Sequence, residues 1–164
     1  MELPSRRMPR HPKYNYNTPG YYFITICTQD KKCILGTIVG SGLPDAPKPQ
    51  LTSIGQTVRM QLEEMAHFYP DIVLEKYVVM PNHIHLLVQI PGAFPDKQET
   101  DSRENARIPQ FVGTFKRMTG RKLGRNIWQT SYHDHIIRGD ADYLKIWNYI
   151  DTNPARWERD CFYG

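Results

Sequence analysis

Two histidines separated by one residue are the part of the sequence that most directly suggests chemistry. His83 and His85 lie in the segment YVVMPNHIHLLVQI, residues 77–90, whose apolar and β-branched composition predicts strand structure. Because side chains alternate along a strand, both imidazoles would lie on one open face, with Ile84 and Leu86 on the other. Neutral imidazoles bind divalent metal ions and leave positions free for a third ligand and a substrate oxygen. The pair therefore indicates either a metal site or two half-exposed histidines.

A tyrosine and an asparagine near the end of the chain could complete such a site. Apolar residues at helical spacing predict a last helix over residues 141–153. Tyr149 lies on its polar side, about 200° around the axis from Trp147, and is either a nucleophile or an exposed tyrosine without a role. Asn153, one turn further on, could give a metal ion an oxygen ligand. It could instead cap a following helix that begins at Pro154.

Two clusters of basic residues are candidate contacts for nucleic acid. The chain has 21 Lys and Arg against 17 Asp and Glu, a net charge of +4 and an isoelectric point near 9.0. The clusters comprise Arg6, Arg7, Arg10 and Lys13 near the start, and Lys116, Arg117, Arg121, Lys122 and Arg125 further along. Residues 117, 121 and 125 share one side of a helix and could bind phosphates, as Arg138 could. A solvated charged face and a surface salt bridge are the alternatives.

Periodicity elsewhere predicts the elements that would position these residues. The predicted strands span residues 21–28, 72–80, 83–90 and 127–138, and the predicted helices span residues 51–69, 108–123 and 141–153, the last capped by Asp140. Residues 40–50 and 91–107 read as loops, the second of them mobile. The order predicts an α+β, ferredoxin-like β-α-β-β-α-β sandwich with an antiparallel sheet, plus a C-terminal helix that carries Tyr149. Helices would cover one face of the sheet and leave the other free for a ligand.

Length and composition exclude several classes of protein. A chain of 164 residues fits one domain, residues 1–164, that begins with a basic arm at residues 1–18. Three cysteines without a CxxC pair argue against a disulfide framework and a cysteine-built zinc site. The sequence lacks an apolar run long enough for a membrane span, and its basic start lacks the apolar stretch of a signal peptide. We expect a cytoplasmic, nucleoid-associated protein.

The motifs together resemble those of a known family. MPNHIHLL has the His-hydrophobe-His pattern of single-strand DNA endonucleases, and YIDTNP has a Tyr-Ile-x-x-Asn-Pro pattern. The stretches TPGYYFITICTQDKKCILGTIV, VGTFKRMTGRK and IWQTSYHDHIIR also match in order. Over nearly its whole length the chain resembles the IS200-like single-tyrosine transposases, specifically the REP-associated tyrosine transposase group of bacteria.

This resemblance implies an activity and a set of site residues. It implies Mg2+ or Mn2+ held by His83 and His85, with Tyr149 as the nucleophile that cleaves and transfers single-stranded or hairpin DNA through a 5′-phosphotyrosine link. Asn153 stands where the insertion-sequence branch has a glutamine ligand. Asp134 and His135 would lie on a strand beside the site, in a supporting role or in structural hydrogen bonds. A homodimer that exchanges the tyrosine helix occurs in one branch of the family and is not required in the other.

Three other functions compete with this one. A DNA-binding regulatory protein could keep the fold with reduced catalysis. A relaxase or replication initiator of the same histidine-pair class would carry a lysine three or four residues after the tyrosine, where this chain has Thr152 and Asn153. An RNA-binding module would present strand aromatics for base stacking, whereas this strand presents histidines.

Overall fold

Six strands and three α-helices lie in the part of the chain that the computed structural model describes, residues 20–40, 46–91 and 107–159. The strands are β1 (Gly20–Cys27), β2 (Gly36–Val39), β3 (Lys48–Leu51), β4 (Val73–Val79), β5 (His83–Ile90) and β6 (His133–Ile137). The helices are α1 (Ser53–Phe68), α2 (Arg107–Leu123) and α3 (Asp140–Thr152), and a 3-10 segment, Pro154–Arg159, follows α3. None of the helices in these ranges is long and apolar enough to cross a membrane.

Four strands form the main sheet in the order β4-β5-β1-β6. Every neighbouring pair is antiparallel, so β1 lies between β5 and β6 while β4 occupies an edge. β4 and β5 form a hairpin in which the Met80 N–H donates to the His83 carbonyl oxygen over 2.8 Å. With α1 and α2 as its crossovers, this topology is the ferredoxin-like α+β sandwich predicted from the sequence.

One face of the sheet packs against α1 and α2. Alternate residues of β1 and β5, among them Ile24 and Leu86, are fully buried in one cluster with Leu62 of α1 and Phe111 of α2. α1 begins at the Thr52 N-cap, whose hydroxyl accepts the Gly55 N–H. The apolar set of β5 therefore faces the helices as its alternation predicts, which directs His83 and His85 to the opposite face.

The opposite face is not free, and that expectation is wrong. Ile146 and Ile150 of α3 are buried against Phe23 of β1, Leu87 of β5 and Ile137 of β6. These side chains form a second, smaller apolar cluster, and its burial holds α3 on the sheet. The last helix is therefore a cover for the histidine face.

Several predicted boundaries differ from the observed ones. Residues 48–50, predicted as loop, belong to β3, which pairs with β2 in a separate two-stranded ribbon. The last strand begins at His133 and not at residue 127, and α3 is preceded at its N-cap by Gly139, not capped by Asp140. α2 includes residue 107. The basic arm and residues 92–106 of the predicted mobile loop lie outside the described residues.

Candidate functional site

The two histidines converge on one point. His83 and His85 stand on the same face of β5, opposite Cys27 and Thr25 of β1. Their Nε2 atoms are 3.0 Å apart and their ring centroids 4.5 Å apart. Neither residue is exposed, so the alternation of β5 creates a buried pair of imidazoles.

A hydrogen bond at each Nδ1 atom fixes the orientation of each ring. The Nδ1 of His83 lies 2.7 Å from the Asn82 Oδ1, and the Asn82 amide nitrogen donates to the Lys31 carbonyl oxygen over 3.3 Å. Because Asn82 presents its oxygen to the ring, His83 is the donor at Nδ1, and in the neutral ring its Nε2 carries the lone pair. The Nδ1 of His85 lies 2.8 Å from the Thr25 hydroxyl oxygen.

Burial keeps the second imidazole neutral. Desolvation lowers the pKa of His85 well below its ordinary value of 6.5, and the charge of the adjacent His83 lowers the pKa further. A neutral imidazole is the form that binds a metal ion. Both the tautomer of His83 and the protonation state of His85 therefore suit a ligand pair.

The histidine pair also passes a test of fit to a metal ion. Nitrogen ligands lie about 2.1 Å from a divalent ion, and in an octahedral site, where adjacent ligands stand at right angles, two of them are separated by about 3 Å. The 3.0 Å between the Nε2 atoms matches this spacing. The described residues contain no group of three His, Cys, Asp or Glu that could hold a metal ion. Further ligands would be an amide oxygen, water or substrate. Asn153, which is 1% exposed at the end of α3, remains the predicted third ligand.

A tyrosine of α3 lies beside the imidazoles. The Tyr149 ring is half-buried, with its centroid 5.2 Å from that of His85 and 5.9 Å from that of Phe23. Tyr143 instead packs on Tyr21, with centroids 4.9 Å apart. Tyr21 pairs with the residue four positions along β5 from His85, a distance of about 13 Å. Of these two tyrosines of α3, Tyr149 is the one at the histidine pair.

The two predicted supporting residues lie on different faces of the sheet. Asp134 pairs with Ile24, whose side chain faces α1 and α2, so the structure does not place Asp134 on the histidine face, where a supporting role would require it. His135 does lie on the histidine side, where its Nε2 is 2.7 Å from Asp142. Asp142 also accepts the Arg138 N–H over 3.1 Å. His135 therefore helps to fix the start of α3, which is the structural alternative.

Four residues at or near the site were missed by the sequence analysis. Thr25 and Asn82 hold the imidazoles, and the Trp157 ring lies 6.0 Å from that of His83. His133 is the other cross-strand neighbour of Thr25 and lies on the same face. Asn82 precedes His83 directly, and this adjacency was the available signal. Strand pairing brings Thr25 to the site, and the segment that follows α3 brings Trp157 there. Neither relationship leaves a local pattern in the sequence.

The predicted phosphate contacts differ in their surroundings. The Lys116 ammonium donates to the carbonyl oxygens of residues 129, 130 and 131, and Lys122 pairs with Glu64 over 2.8 Å. These two lysines therefore have structural contacts. Arg117 and Arg121 of α2 line a groove together with Arg125, whereas Arg138 is exposed just before α3. α2 ends at Leu123 and Gly124 has a φ of 73°, so the expectation that Arg125 continues the same side of a helix is wrong. Arg6, Arg7, Arg10 and Lys13 lie outside the described residues.

Comparison with known proteins identifies relatives with named functions. No protein-family model matches the chain. An uncharacterised protein of Haemophilus influenzae is 32% identical over 173 residues, 96% of this chain and 93% of the relative. A provisionally named REP-associated tyrosine transposase of the same organism is 27% identical over 87% of this chain and 74% of its own length. The REP-associated tyrosine transposase of Escherichia coli K12 is 30% identical over 51% of this chain and 44% of its own length.

The chain is similar to proteins named REP-associated tyrosine transposases. This similarity bears out the resemblance and the enzyme class predicted from the sequence. A solved structure of a REP-associated tyrosine transposase bound to a REP hairpin superposes with a TM-score of 0.63 at 23% identity. The superposition covers 91% of this chain and 74% of that one, which confirms the fold.

Proposed function

We propose that the protein is a metal-dependent DNA endonuclease and strand transferase that acts on hairpin or single-stranded DNA through a covalent tyrosine intermediate. The observation that carries this proposal is the position of Tyr149, 5.2 Å from the ring of His85, whose Nε2 converges with that of His83. A nucleophile beside two nitrogens that can bind a metal ion is an arrangement suited to phosphodiester cleavage.

The proposed step is a transesterification at phosphorus. The Tyr149 oxygen attacks the scissile phosphate, forming an O–P bond as the bond between phosphorus and the 3′ oxygen breaks. The electron pair of the broken bond goes to the 3′ oxygen, which takes up a proton, and the phenol proton passes to water. The products are a 5′-phosphotyrosine link and a free 3′-OH. Attack of another 3′-OH on this link rejoins DNA without a nucleotide cofactor, because the link retains the phosphodiester's energy.

His83 and His85 would hold Mg2+ or Mn2+, with Asn153 as the proposed third ligand. When bound, such an ion polarises the scissile phosphate and neutralises developing charge, which matters because a free phenol, with a pKa near 10, is a weak nucleophile at neutral pH. Two imidazole nitrogens favour Mn2+ over Mg2+. Thr25 and Asn82 orient the rings, and α3 holds the phenol next to them.

The proposed substrate is hairpin DNA. The E. coli relative and the solved structure both carry the REP-associated name, and that structure holds a REP hairpin. We take repeats that flank the gene as the source of the substrate, since an arbitrary oligonucleotide would lack any sequence that the protein reads.

This proposal is tested by determining which end of the cleaved DNA becomes attached to the protein. Hairpin oligonucleotides from flanking repeats, labelled at the 5′ or the 3′ end, are incubated with protein and Mn2+ and separated on a denaturing gel. We expect the 3′ label to migrate with the protein and the 5′ label to appear in a free fragment. His83→Ala and Tyr149→Phe should each abolish the adduct. Hairpin binding by the wild type without any adduct would contradict the proposal and favour the regulatory alternative.

A further inference from the structure

The outer surface of α2 contains a groove at some remove from the histidines. Its volume is about 650 Å3. One wall is the exposed side of α2 and the other is the segment that leads from α2 towards β6. The lining residues are Gly113, Lys116, Arg117, Gly120, Arg121, Gly124, Arg125, Asn126, Gln129 and Thr130. α2 packs on the α1 side of the sheet, so the groove and Tyr149 belong to different layers of the sandwich.

The charges of the groove are of one sign. Its lining includes four cations and no carboxylate. Among the described residues, no carboxylate forms an ion pair with Arg117, Arg121 or Arg125. The dipole of α2 favours cations in its last turn, which explains Arg121, but Arg117 lies a turn earlier. Two arginines one turn apart on α2, with Arg125 just past its end, line one groove, and this arrangement is suited to a polyanion.

The second wall of the groove is held in place. The Lys116 ammonium donates to the Gln129 carbonyl oxygen over 2.8 Å and to the Ser131 carbonyl oxygen over 3.2 Å. Asn126 binds the backbone of Trp128, accepting its N–H over 3.1 Å. These contacts preform the groove, so a ligand would not have to order it.

Gly113 leaves the floor of the groove without a side chain. It lies in the middle of α2, where glycine is less favourable than alanine. A Cβ atom built at this position meets no atom within 4 Å, so contacts within the described structure do not require glycine there. The absence of a side chain one turn before Lys116 and Arg117 allows a sugar–phosphate backbone to approach the helix closely there.

The groove wall connects to the histidine end of the sheet. The Gln129 N–H donates to the Cys27 carbonyl oxygen over 2.9 Å, and Cys27 is the cross-strand neighbour of His83. Cα atoms of such neighbours are about 5 Å apart. A nucleic-acid strand that leaves the groove past Gln129 therefore has a short path around the end of β1 to the imidazoles.

We infer that this groove binds the phosphate backbone of a DNA duplex, with Arg117, Arg121 and Arg125 as the phosphate contacts. This inference rests on the proposed function, because the duplex would be the stem of the hairpin whose single-stranded flank reaches Tyr149. Phosphate contacts carry no sequence information, so the groove positions the stem and leaves sequence recognition to other residues.

The salt dependence of DNA binding tests whether the groove arginines contact phosphates. The affinity for a fluorescent, blunt-ended DNA hairpin of arbitrary sequence is measured by anisotropy at several salt concentrations, for wild type, Arg117→Gln and Arg121→Gln. Each variant should lower the slope of log K against log salt by about 0.9, the value for one lost phosphate contact. Arg59→Gln removes an equal charge from the exposed surface of α1, outside the groove, and should keep the wild-type slope.

A matched pair at Gly113 provides a second test. Gly113→Glu and Gly113→Gln add side chains of equal size that meet no atom of the described structure at Cβ. Only Glu adds a negative charge to the floor. We expect Gly113→Glu to bind the hairpin about five- to tenfold more weakly than Gly113→Gln at low salt, with the same thermal stability.

The outcomes separate this inference from the proposed function. The inference that the groove binds DNA phosphates would be overturned by wild-type affinity and slope in both arginine variants. It would also be overturned if the wild type did not bind the hairpin. Loss of slope in those variants supports the groove, even if no covalent adduct forms with any substrate and the proposed function fails. Mn2+ binding should be equal in wild type and both arginine variants, since the histidines lie in another layer.

Discussion

The Tyr149 ring lies 5.2 Å from the His85 ring, although one is carried by α3 and the other by the centre of the sheet. Other contacts hold each of the two rings in place. Ile150, the residue after Tyr149, is buried in the second apolar cluster, and Thr25 holds the far nitrogen of His85. Phe23 contacts both rings, with its centroid 5.1 Å from that of His85 and 5.9 Å from that of Tyr149, so the packing of α3 on the sheet sets the distance between them.

Thr25→Val should weaken Mn2+ binding while the fold is retained. Valine has nearly the shape of threonine but cannot bond the Nδ1 of His85, so the ring loses its fixed orientation. Loss of such an outer partner typically lowers metal affinity 10- to 100-fold. Isothermal titration with Mn2+ measures the change, and Thr25→Ser, which keeps the hydroxyl, should bind as the wild type does. Equal affinities for wild type and Thr25→Val would mean that the hydrogen bond does not orient His85.

Metal-free protein should lose stability as the pH falls below about 6.5. Burial, followed by the charge of His83, lowers the pKa of His85 in the folded protein, whereas the unfolded chain protonates this histidine near 6.5. Below that pH the unfolded state binds a proton that the native state does not. The free energy of unfolding therefore falls with decreasing pH, by up to about 1.4 kcal/mol per unit for this group. More than about one pH unit above 6.5 this group contributes almost no slope.

Urea unfolding in EDTA between pH 7.5 and 5.5 measures this effect. The comparison is with His85→Gln, which removes the titrating group and leaves the other histidines in place. The difference between the two slopes isolates His85. Identical slopes for both proteins would show that His85 does not remain neutral in the folded state.

The local patterns of the sequence predicted much of this fold. Alternation in β5 placed His83 and His85 on one face, and the apolar periodicity of α1 and α2 predicted the helices that cover the other face. These are properties of single elements, and they depend on nearest neighbours in the sequence. The His-x-His motif was correctly assigned to a strand for the same reason.

The relations between elements could not be predicted in this way. The face on which Asp134 lies depends on its register with Ile24, and a shift of one residue would reverse it. The hydrogen bond from Thr25 to His85 spans 60 residues and has no local signal. The apolar stripe of α3 predicted a helix but not the face of the sheet that it covers, so the histidine face was wrongly expected to be open.

Two glycines in helices should respond to alanine in opposite ways. A Cβ atom at Gly55 would lie 1.9 Å from the Leu35 carbonyl oxygen, so the backbone must shift. Overpacking of this kind destabilises by about 1–3 kcal/mol. Gly113→Ala meets no atom within 4 Å and should stabilise the protein by about 0.5–1 kcal/mol. Thermal unfolding of both variants checks the pair, and a destabilising Gly113→Ala would contradict the open floor of the groove.

Identification of the residue that carries the DNA tests the central claim most directly. Wild-type protein is reacted with a hairpin substrate and Mn2+, treated with nuclease and digested with trypsin. Cleavage after Lys145 and Arg156 yields a peptide, residues 146–156, that contains Tyr149 as its single tyrosine. Tyr143 and Tyr132 fall in other peptides, residues 139–145 and 126–138. We predict a nucleotide mass on the Tyr149 peptide, and none in Tyr149→Phe. A nucleotide on the Tyr143 or Tyr132 peptide would contradict the assignment of the nucleophile.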